Sequence, residues 1–333
     1  MVPHCLRLAE VDVFWLAERF VARAADVDRA SSVRSRFAHR RVAGLVLCLL
    51  LGMAGGAVHA ETIRVFVSVL PLKHFVERVA GKLARVGVMV GPGQNPHTYE
   101  PSPKQMAELA KSKVYFRIGV PFEDVWLQRI AAANPLLQIV DLRKGVPLRP
   151  LDAETQAHRQ PHPKQERHGR AGYSDPHIWT DPRRVQIIAG NIRDTLIALD
   201  PVHATEYESN FTEFTDALDS LDRAIRELFE DKAARRFMVF HPAWGYFAEA
   251  YRLRQIPIET SGKEPGARQL AHLIDSAKAL GIRVIFVQAQ SSRRNAETVA
   301  RAIGGRVIAV DPLAENYSEN LLFVAKTLAE VMK

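Results

Sequence analysis

The chain contains very little cysteine. Its 333 residues include two cysteines, Cys5 and Cys48, and both lie before residue 60. The rest of the chain therefore has no disulfide, and it has no thiolate with which to bind a metal. Any metal site in that part must be built from nitrogen and oxygen ligands.

Long hydrophobic runs and dense basic runs are also missing. The clearest apolar run, Ala43 to Gly52, is ten residues long, whereas a helix needs about 20 apolar residues to cross a bilayer. The net charge is +8, but no stretch interleaves closely spaced Lys and Arg with aromatic residues, as nucleic-acid-binding segments do. We therefore expect a solvated basic surface and no nucleic-acid partner.

The N-terminus has the features of an export signal. Four arginines between residues 34 and 41 precede the apolar run, and Val58-His59-Ala60 offers small residues for cleavage after Ala60. Cys48 lies inside the apolar run, where a lipid-attachment signal would have small residues before it, so we do not expect a lipoprotein. The stretch ahead of Val33 is long for a signal peptide, and we interpret it as an upstream start. The mature protein is predicted to be periplasmic.

The remainder alternates between strand and helix patterns. The 47% hydrophobic content and the length suffice for two domains with their own cores. Short β-branched and apolar runs predict strands, and the stretches between them repeat apolar residues at helical spacing. This alternation predicts α/β architecture with mostly parallel sheets flanked by helices. The predicted strands are 63–69, 84–90, 114–118 and 138–141 in the first half, and 236–240, 256–258, 284–287 and 307–310 in the second.

Two segments between these halves differ from the rest. Residues 152–174 lack a hydrophobic pattern and hold three histidines, at positions 158, 162 and 168. They predict a polar loop that is either simply solvated or a weak metal-collecting segment. Residues 202–231 have one apolar stripe over about 28 residues, which predicts one long rigid helix joining two lobes. The predicted division is an N-terminal extension and signal peptide (1–60, removed), a first lobe (61–201), the linker helix (202–231) and a second lobe (232–333).

Three histidines have closely similar sequence surroundings. They occur in Asn95-Pro96-His97-Thr98-Tyr99, in Asp175-Pro176-His177-Ile178-Trp179 and in Phe240-His241-Pro242-Ala243-Trp244. Each histidine is next to proline, is followed by an aromatic residue and lies near a predicted strand end. Asp311, in Val310-Asp311-Pro312, has a related setting. We expect His97, His177, His241 and Asp311 to bind one metal ion in the cleft between the lobes.

The predicted ligand set favours zinc. Three imidazoles and one carboxylate suit tetrahedral Zn²⁺, whereas Mn²⁺ prefers more oxygen and is the less favoured ion. Adjacent prolines restrict the backbone, which lowers the entropy lost when the ion binds. Glu100 and Asp175 are candidates to hold the imidazoles from behind. The aromatic residues Trp179, Trp244 and Tyr246 are expected to pack around the site.

Four segments of the sequence resemble those of a known protein family. The segments NPHTYEPSP, DPHIWTDP, HPAWGYFA and VDPLAENYSENL are similar to those of the zinc- and manganese-binding receptors of bacterial ABC importers, in the family's order and over residues 63–333. The resemblance implies two α/β lobes joined by one long helix, a buried ion, and delivery of that ion to an inner-membrane permease. It implies the same four ligands. His241 stands where manganese receptors of the family often have Glu, which favours zinc, and Gln288 stands where many members have Glu.

Two other classes of function remain open at this stage. A zinc hydrolase could use three histidines and a carboxylate around an activated water, but the chain has no His-Glu-x-x-His helix and no general base beside a ligand. An adhesin or interaction protein could hold a structural metal, which it would release only on unfolding. We expect a receptor and not an enzyme, acting as a monomer.

Overall fold

The computed structural model describes residues 62–150, 174–233, 235–259, 265–288 and 293–332. The predicted signal peptide and upstream start in residues 1–60, and nearly all of the predicted loop 152–174, lie outside the described residues. No helix within these ranges is both long enough and apolar enough to cross a membrane.

The first half forms a four-stranded parallel sheet. Its strands run in the order β2-β1-β3-β4, so the two central strands are β1 and β3. Apolar residues fill these strands because helices cover the sheet, and the burial of Val65, Val67 and Val69 in β1 is nearly complete. The strands are β1 (Ile63–Val69), β2 (Ala84–Val90), β3 (Val114–Arg117) and β4 (Gln138–Asp141), and the helices are α1 (Leu70–Ala80), α2 (Pro103–Leu109), α3 (Pro121–Ala133) and α4 (Pro182–Leu199).

The second half repeats this arrangement. Its four strands are also parallel and run in the order β6-β5-β7-β8. The strand β7 is buried along its whole length, as expected for a central strand covered on both faces. The strands are β5 (Arg236–Val239), β6 (Arg254–Pro257), β7 (Val284–Val287) and β8 (Arg306–Ala309), and the helices are α6 (Gly245–Ala250), α7 (Ala267–Ala279), α8 (Arg293–Ala302) and α9 (Tyr317–Val331).

One long helix joins the two sheets. Helix α5 (Ala204–Phe229) has 26 residues, which gives about 39 Å at 1.5 Å per residue. It packs against α1, α4 and α9, and its buried residues form the predicted stripe. It begins two residues later than predicted because Pro201–His203 forms a short 3-10 turn, and it ends at Phe229. The prediction of two parallel sheets joined by a long helix is confirmed.

The main hydrophobic core extends over both halves. It includes residues of the first sheet, the inner face of α5, and from the second half side chains such as Trp244, Tyr246 and Tyr317. A smaller core lies between the second sheet and helices α7 and α8, around Met238 and Ile285. The long helix is therefore not a flexible linker, because its apolar face is part of the core that both halves share.

Candidate metal site

The carboxyl ends of strands from both sheets surround one small pocket. Ligands of parallel α/β folds usually bind at this edge. The pocket has a volume of about 20 Å³, and one water molecule needs roughly 10–15 Å³ of such space. Its accessible interior therefore has room for a single ion or water. Its lining consists of Asn95, Pro96, His97, Val120, Pro121, Pro176, His177, Trp179, His241, Gln288, Pro312 and Leu313.

His97 lies in the loop between β2 and α2. The Oδ1 of Asn95 accepts the backbone N–H of His97 at 2.9 Å, and the carbonyl of Asn95 accepts the N–H of Thr98 at 3.1 Å. The loop ends at Ser102, whose side chain and that of Gln105 form a reciprocal capping box at the start of α2. A turn and a cap thus fix the two ends of this loop, while the residue His97 itself is exposed.

His177 is held much more firmly. The Oδ1 of Asp175 accepts the ring Nδ1–H of His177 at 2.7 Å and its backbone N–H at 3.0 Å. Burial lowers the pKa of His177, although the hydrogen bond with Asp175 opposes this. Burial acts to raise the pKa of Asp175, but the hydrogen bonds and charge of His177 together with the charge of Arg149 outweigh it, and the pKa lies below its usual value. An ionised Asp175 keeps the proton of His177 on Nδ1 and leaves the lone pair of Nε2 for a metal.

His241 has a carboxylate partner of its own. It follows β5 by two residues and is 8% exposed. Its Nδ1 lies 3.3 Å from both carboxylate oxygens of Glu259, which lies two residues after β6 at the same edge of the sheet. The register places them together, because the N–H of Glu259 donates to the carbonyl of Phe240 at 2.9 Å. The contact with Glu259 is made by Nδ1 and leaves out Nε2, as in the pair of His177 with Asp175.

Two of the three imidazole pairs have the spacing of ligands on one ion. The ring centroids of His97 and His241 are 5.1 Å apart, and those of His177 and His241 are 5.3 Å apart. With zinc–nitrogen bonds of about 2.0–2.1 Å, two imidazoles on one tetrahedral zinc have centroids about 5.2 Å apart.

The spacing does not by itself complete a binding site. In none of the described ranges are three His, Cys, Asp or Glu side chains arranged as a metal-holding group. Centroid distances locate the rings, whereas binding also requires the nitrogens to point at one centre.

Asp311 occupies a different position from the three histidines. It lies two residues after β8, and its neighbours Pro312 and Leu313 line the pocket, but Asp311 itself is not among the lining residues. Its Oδ1 accepts the backbone N–H of Leu313 at 2.9 Å. The backbone carbonyl of Pro312 in turn accepts the indole N–H of Trp179 at 2.7 Å, which ties this turn to the segment that follows His177.

The structure also shows which other residues belong to the site. Sequence reasoning identified Asp175 as a partner of His177, as observed, but Glu100 is exposed and no hydrogen bond or ion pair joins it to any of the three imidazoles. It did not identify Glu259, which lies 18 residues from His241 and has no motif of its own. Gln288, noted only as a departure from the family pattern, lines the pocket at the end of β7.

Three other histidines of the described residues do not line this pocket. His74 packs among the rings of Phe75, Phe214 and Tyr317. His203 is half-buried, and its Nδ1 lies 2.7 Å from Asp200. His272 is exposed on α7.

Comparison with known proteins gives consistent similarities. The family model "ZnuA: Zinc-uptake complex component A periplasmic" matches residues 65–333. The zinc-binding lipoprotein AdcA of Streptococcus pneumoniae (strain ATCC BAA-255 / R6) is 28% identical over 278 residues, which cover 81% of this chain and 52% of AdcA. The chain thus spans about half the length of that relative.

Solved structures give the closer match in length. The crystal structure of ZnuA is similar with a TM-score of 0.74 and 36% identity, covering 81% of this chain and 99% of that chain. A zinc-bound deletion mutant of ZnuA is similar with the same score and identity, covering 82% of this chain and 99% of that chain. Both matches agree with the two-sheet fold described above.

Proposed function

The chain belongs to the family of periplasmic zinc-uptake complex component A, and on this premise we propose that it is an extracytoplasmic receptor that binds Zn²⁺ with high affinity and delivers it to an ABC-type importer. The observation that carries the proposal is that the rings of His97 and His177 each lie at the spacing of zinc ligands from the ring of His241, and that all three histidines line one pocket. Membership of a zinc-uptake family supports a receptor and not an enzyme.

The proposed ligands are His97, His177, His241 and Asp311. Two of the imidazoles have carboxylate partners at Nδ1, which orients them and makes Nε2 a better donor. Nitrogen-rich sites of this kind suit Zn²⁺, while Mn²⁺ is better served by sites with more oxygen. The zinc-binding name of AdcA and the zinc-bound ZnuA mutant support the same choice of ion.

The remaining parts of the proposal concern the setting of the receptor. Residues 1–60 would be removed on export, leaving a first lobe (61–201), a linker helix (202–231) and a second lobe (232–333). We propose that the mature chain is periplasmic, monomeric and without a lipid anchor, and that its partner is an inner-membrane permease. AdcA is named a lipoprotein, so the mass of the exported protein is the measurement that decides this point: an added lipid on Cys48 would contradict it.

Metal analysis and competition titration test the function. Mature protein purified without chelator is expected to hold one zinc per chain, and Zn²⁺ should compete out Mn²⁺. Zinc binding should be weakened strongly by each of four variants: His97→Ala, His177→Ala, His241→Ala and Asp311→Ala. The matched controls are His74→Ala and His272→Ala, which remove histidines that lie away from the pocket and should leave the affinity unchanged.

The outcomes separate the proposal from its alternatives. Wild-type zinc affinity in His241→Ala would contradict the ligand assignment. Zinc that is released only when the chain unfolds would indicate a structural metal. A chain lacking residues 157–170 should still bind one zinc, and loss of that zinc would place a ligand in the loop.

A further inference from the structure

Asp175, the carboxylate behind His177, is contacted from both halves of the chain. Arg149 donates from Nη1 to the Oδ2 of Asp175 at 2.9 Å, and its backbone carbonyl accepts the N–H of Asp175 at 3.0 Å. From the second half, the hydroxyl of Tyr246 donates to the backbone carbonyl of Asp175 at 2.9 Å and accepts the N–H of Arg149 at 3.1 Å. The segment that leads into His177 is thus fixed by Arg149 and Tyr246 together.

The two oxygens of Asp175 serve different partners. Oδ1 accepts both the ring and the backbone N–H of His177, while Oδ2 accepts Arg149. Asp175 is 2% exposed, and Arg149 is the charged partner at its Oδ2. Without Arg149 only Oδ1 would be held, by the two N–H groups of His177, and the carboxylate would be less restricted about its terminal bond.

Gly245 leaves the space that the guanidinium occupies. A Cβ added to Gly245 would overlap Nη1 of Arg149, and it would lie 2.7 Å from Cζ of Arg149 and 2.7 Å from Oδ2 of Asp175. Gly245 is the first residue of α6 and does not have a positive φ, so its backbone does not call for glycine. The requirement at this position is one of space, and any larger side chain must push Arg149 away from Asp175.

We propose that Arg149 is a positioning residue for the zinc ligand His177. By holding Oδ2 of Asp175, Arg149 turns Oδ1 towards Nδ1 of His177, which keeps the proton on Nδ1 and directs Nε2 into the pocket. Gly245, at the start of α6 in the second half, admits the guanidinium that sets this ligand of the first half. The proposal rests on the proposed function in one respect, namely that zinc is the ion that Nε2 meets.

The tautomer of His177 in the metal-free protein is the direct readout. Long-range proton–nitrogen correlation spectra distinguish a ring that carries its proton on Nδ1 from one that carries it on Nε2, at about pH 8 where histidine is neutral. The His177 signals are assigned by their absence from His177→Gln. Wild type should show one tautomer, with the proton on Nδ1.

Three variants and one matched control give the comparison. Arg149→Met and Gly245→Ala should both produce a mixture of tautomers, although they change different halves of the chain. Arg149→Lys should recover part of the wild-type signal, because an ammonium can still donate to Oδ2. Glu249→Gln is the control: Glu249 pairs with the Nε of Arg149 at 3.5 Å from the half-exposed side, so its loss should leave the tautomer as in wild type.

The zinc measurement forms the second arm. Removing a partner that orients a ligating histidine typically lowers metal affinity 10–100-fold, so Arg149→Met and Gly245→Ala should fall in about that range while Glu249→Gln should not change. Urea unfolding tests for a purely structural role of Arg149. In that case Arg149→Met would shift the urea midpoint of unfolding and leave the tautomer of His177 unchanged.

The tautomer measurement and the zinc measurement test separate statements. A single Nδ1–H tautomer in both Arg149→Met and Gly245→Ala would overturn the positioning role of Arg149. Absence of zinc binding in wild type would overturn the proposed function, while the tautomer would still decide the role of Arg149. If Arg149→Met does not fold, Gly245→Ala and Arg149→Lys still decide it.

Discussion

Trp179 offers a sharp test of how the site is joined to the fold. It is 1% exposed, and its indole N–H donates to the carbonyl of Pro312 at 2.7 Å. Its ring centroid lies 5.4 Å from that of His177. One side chain therefore connects the segment of His177 with the turn that holds Asp311.

The cost of Trp179→Phe follows from these contacts. Phenylalanine keeps an aromatic ring but has no N–H, so the buried carbonyl of Pro312 loses its donor, which costs about 1–3 kcal/mol. The smaller ring leaves part of the space empty, which adds about 1 kcal/mol. Together these terms predict that the free energy of unfolding falls by about 2–4 kcal/mol, with weaker zinc binding because Asp311 is less well placed.

Urea unfolding of the metal-free protein, followed by circular dichroism, measures the loss. The matched control is Trp126→Phe. Trp126 is half-buried on α3, and Cζ of Arg129 lies 4.6 Å from the centroid of its ring. This exposed cation–π contact is worth about 0.5–1 kcal/mol. A loss no larger for Trp179→Phe than for Trp126→Phe would refute the reasoning, because it would mean that the Pro312 carbonyl does not depend on the indole.

Three further outcomes are expected. Zinc at about 1,000 times its dissociation constant should stabilise the protein by about 4 kcal/mol near pH 7.5 and much less near pH 5, because the imidazoles must lose protons to bind; equal shifts in melting temperature at both pH values would contradict the three-histidine site. Burial, aided by Arg78, lowers the pKa of His74, so the unfolded chain binds the extra proton and stability should fall as the pH drops below about 6.5. His74→Phe should flatten this fall in urea titrations between about pH 7 and pH 5, and an unchanged slope would show that His74 does not cause it. Glu259→Gln should weaken zinc binding about 10–100-fold by removing the charge behind His241, and a wild-type affinity in competition titration would remove Glu259 from the site.

The fold could be predicted largely because its central strands are buried on both faces. A strand such as β7, with the sequence VIFV, has no polar residue to suggest any other environment. The long helix was equally clear from its apolar stripe, but its start was not. Proline at position 201 is compatible with a 3-10 turn as well as with the first turn of an α-helix, and only the hydrogen bonding separates the two.

The repeated proline motifs indicate both a turn and a metal ligand, and the sequence alone does not separate the two. In Asn95-Pro96-His97 and Asp175-Pro176-His177 the first residue accepts the N–H of the histidine and so forms the turn. Asp311 accepts the N–H of Leu313 in the same way, so there the proposed ligand is the turn-forming residue itself. The shared pattern is therefore first a turn signature, and the proposed ligand follows the proline at His97 and His177 but precedes it at His241 and Asp311.

The residues that support the ligands could not be found from local patterns. Glu259 reaches His241 because β6 pairs with β5, and Arg149 contacts Asp175, which is 26 positions away in the sequence. Both are contacts of tertiary structure, made by residue types that occur at any surface. If the pairing of β6 with β5 had been assumed, Glu259 would have been predicted to lie beside His241. No sequence feature indicates that Gly245 leaves room for the guanidinium of Arg149.

The three imidazoles proposed as ligands differ in exposure, which bears on the cost of binding an ion. The side chain of His177 is 12% exposed and the residue His241 is 8% exposed, and each has a carboxylate at Nδ1. Such side chains have little rotamer freedom left to lose. His97 is exposed, and ordering an exposed side chain costs more conformational entropy than ordering a buried one. Of the three proposed nitrogen ligands, His97 is therefore the one for which binding an ion would cost the most entropy.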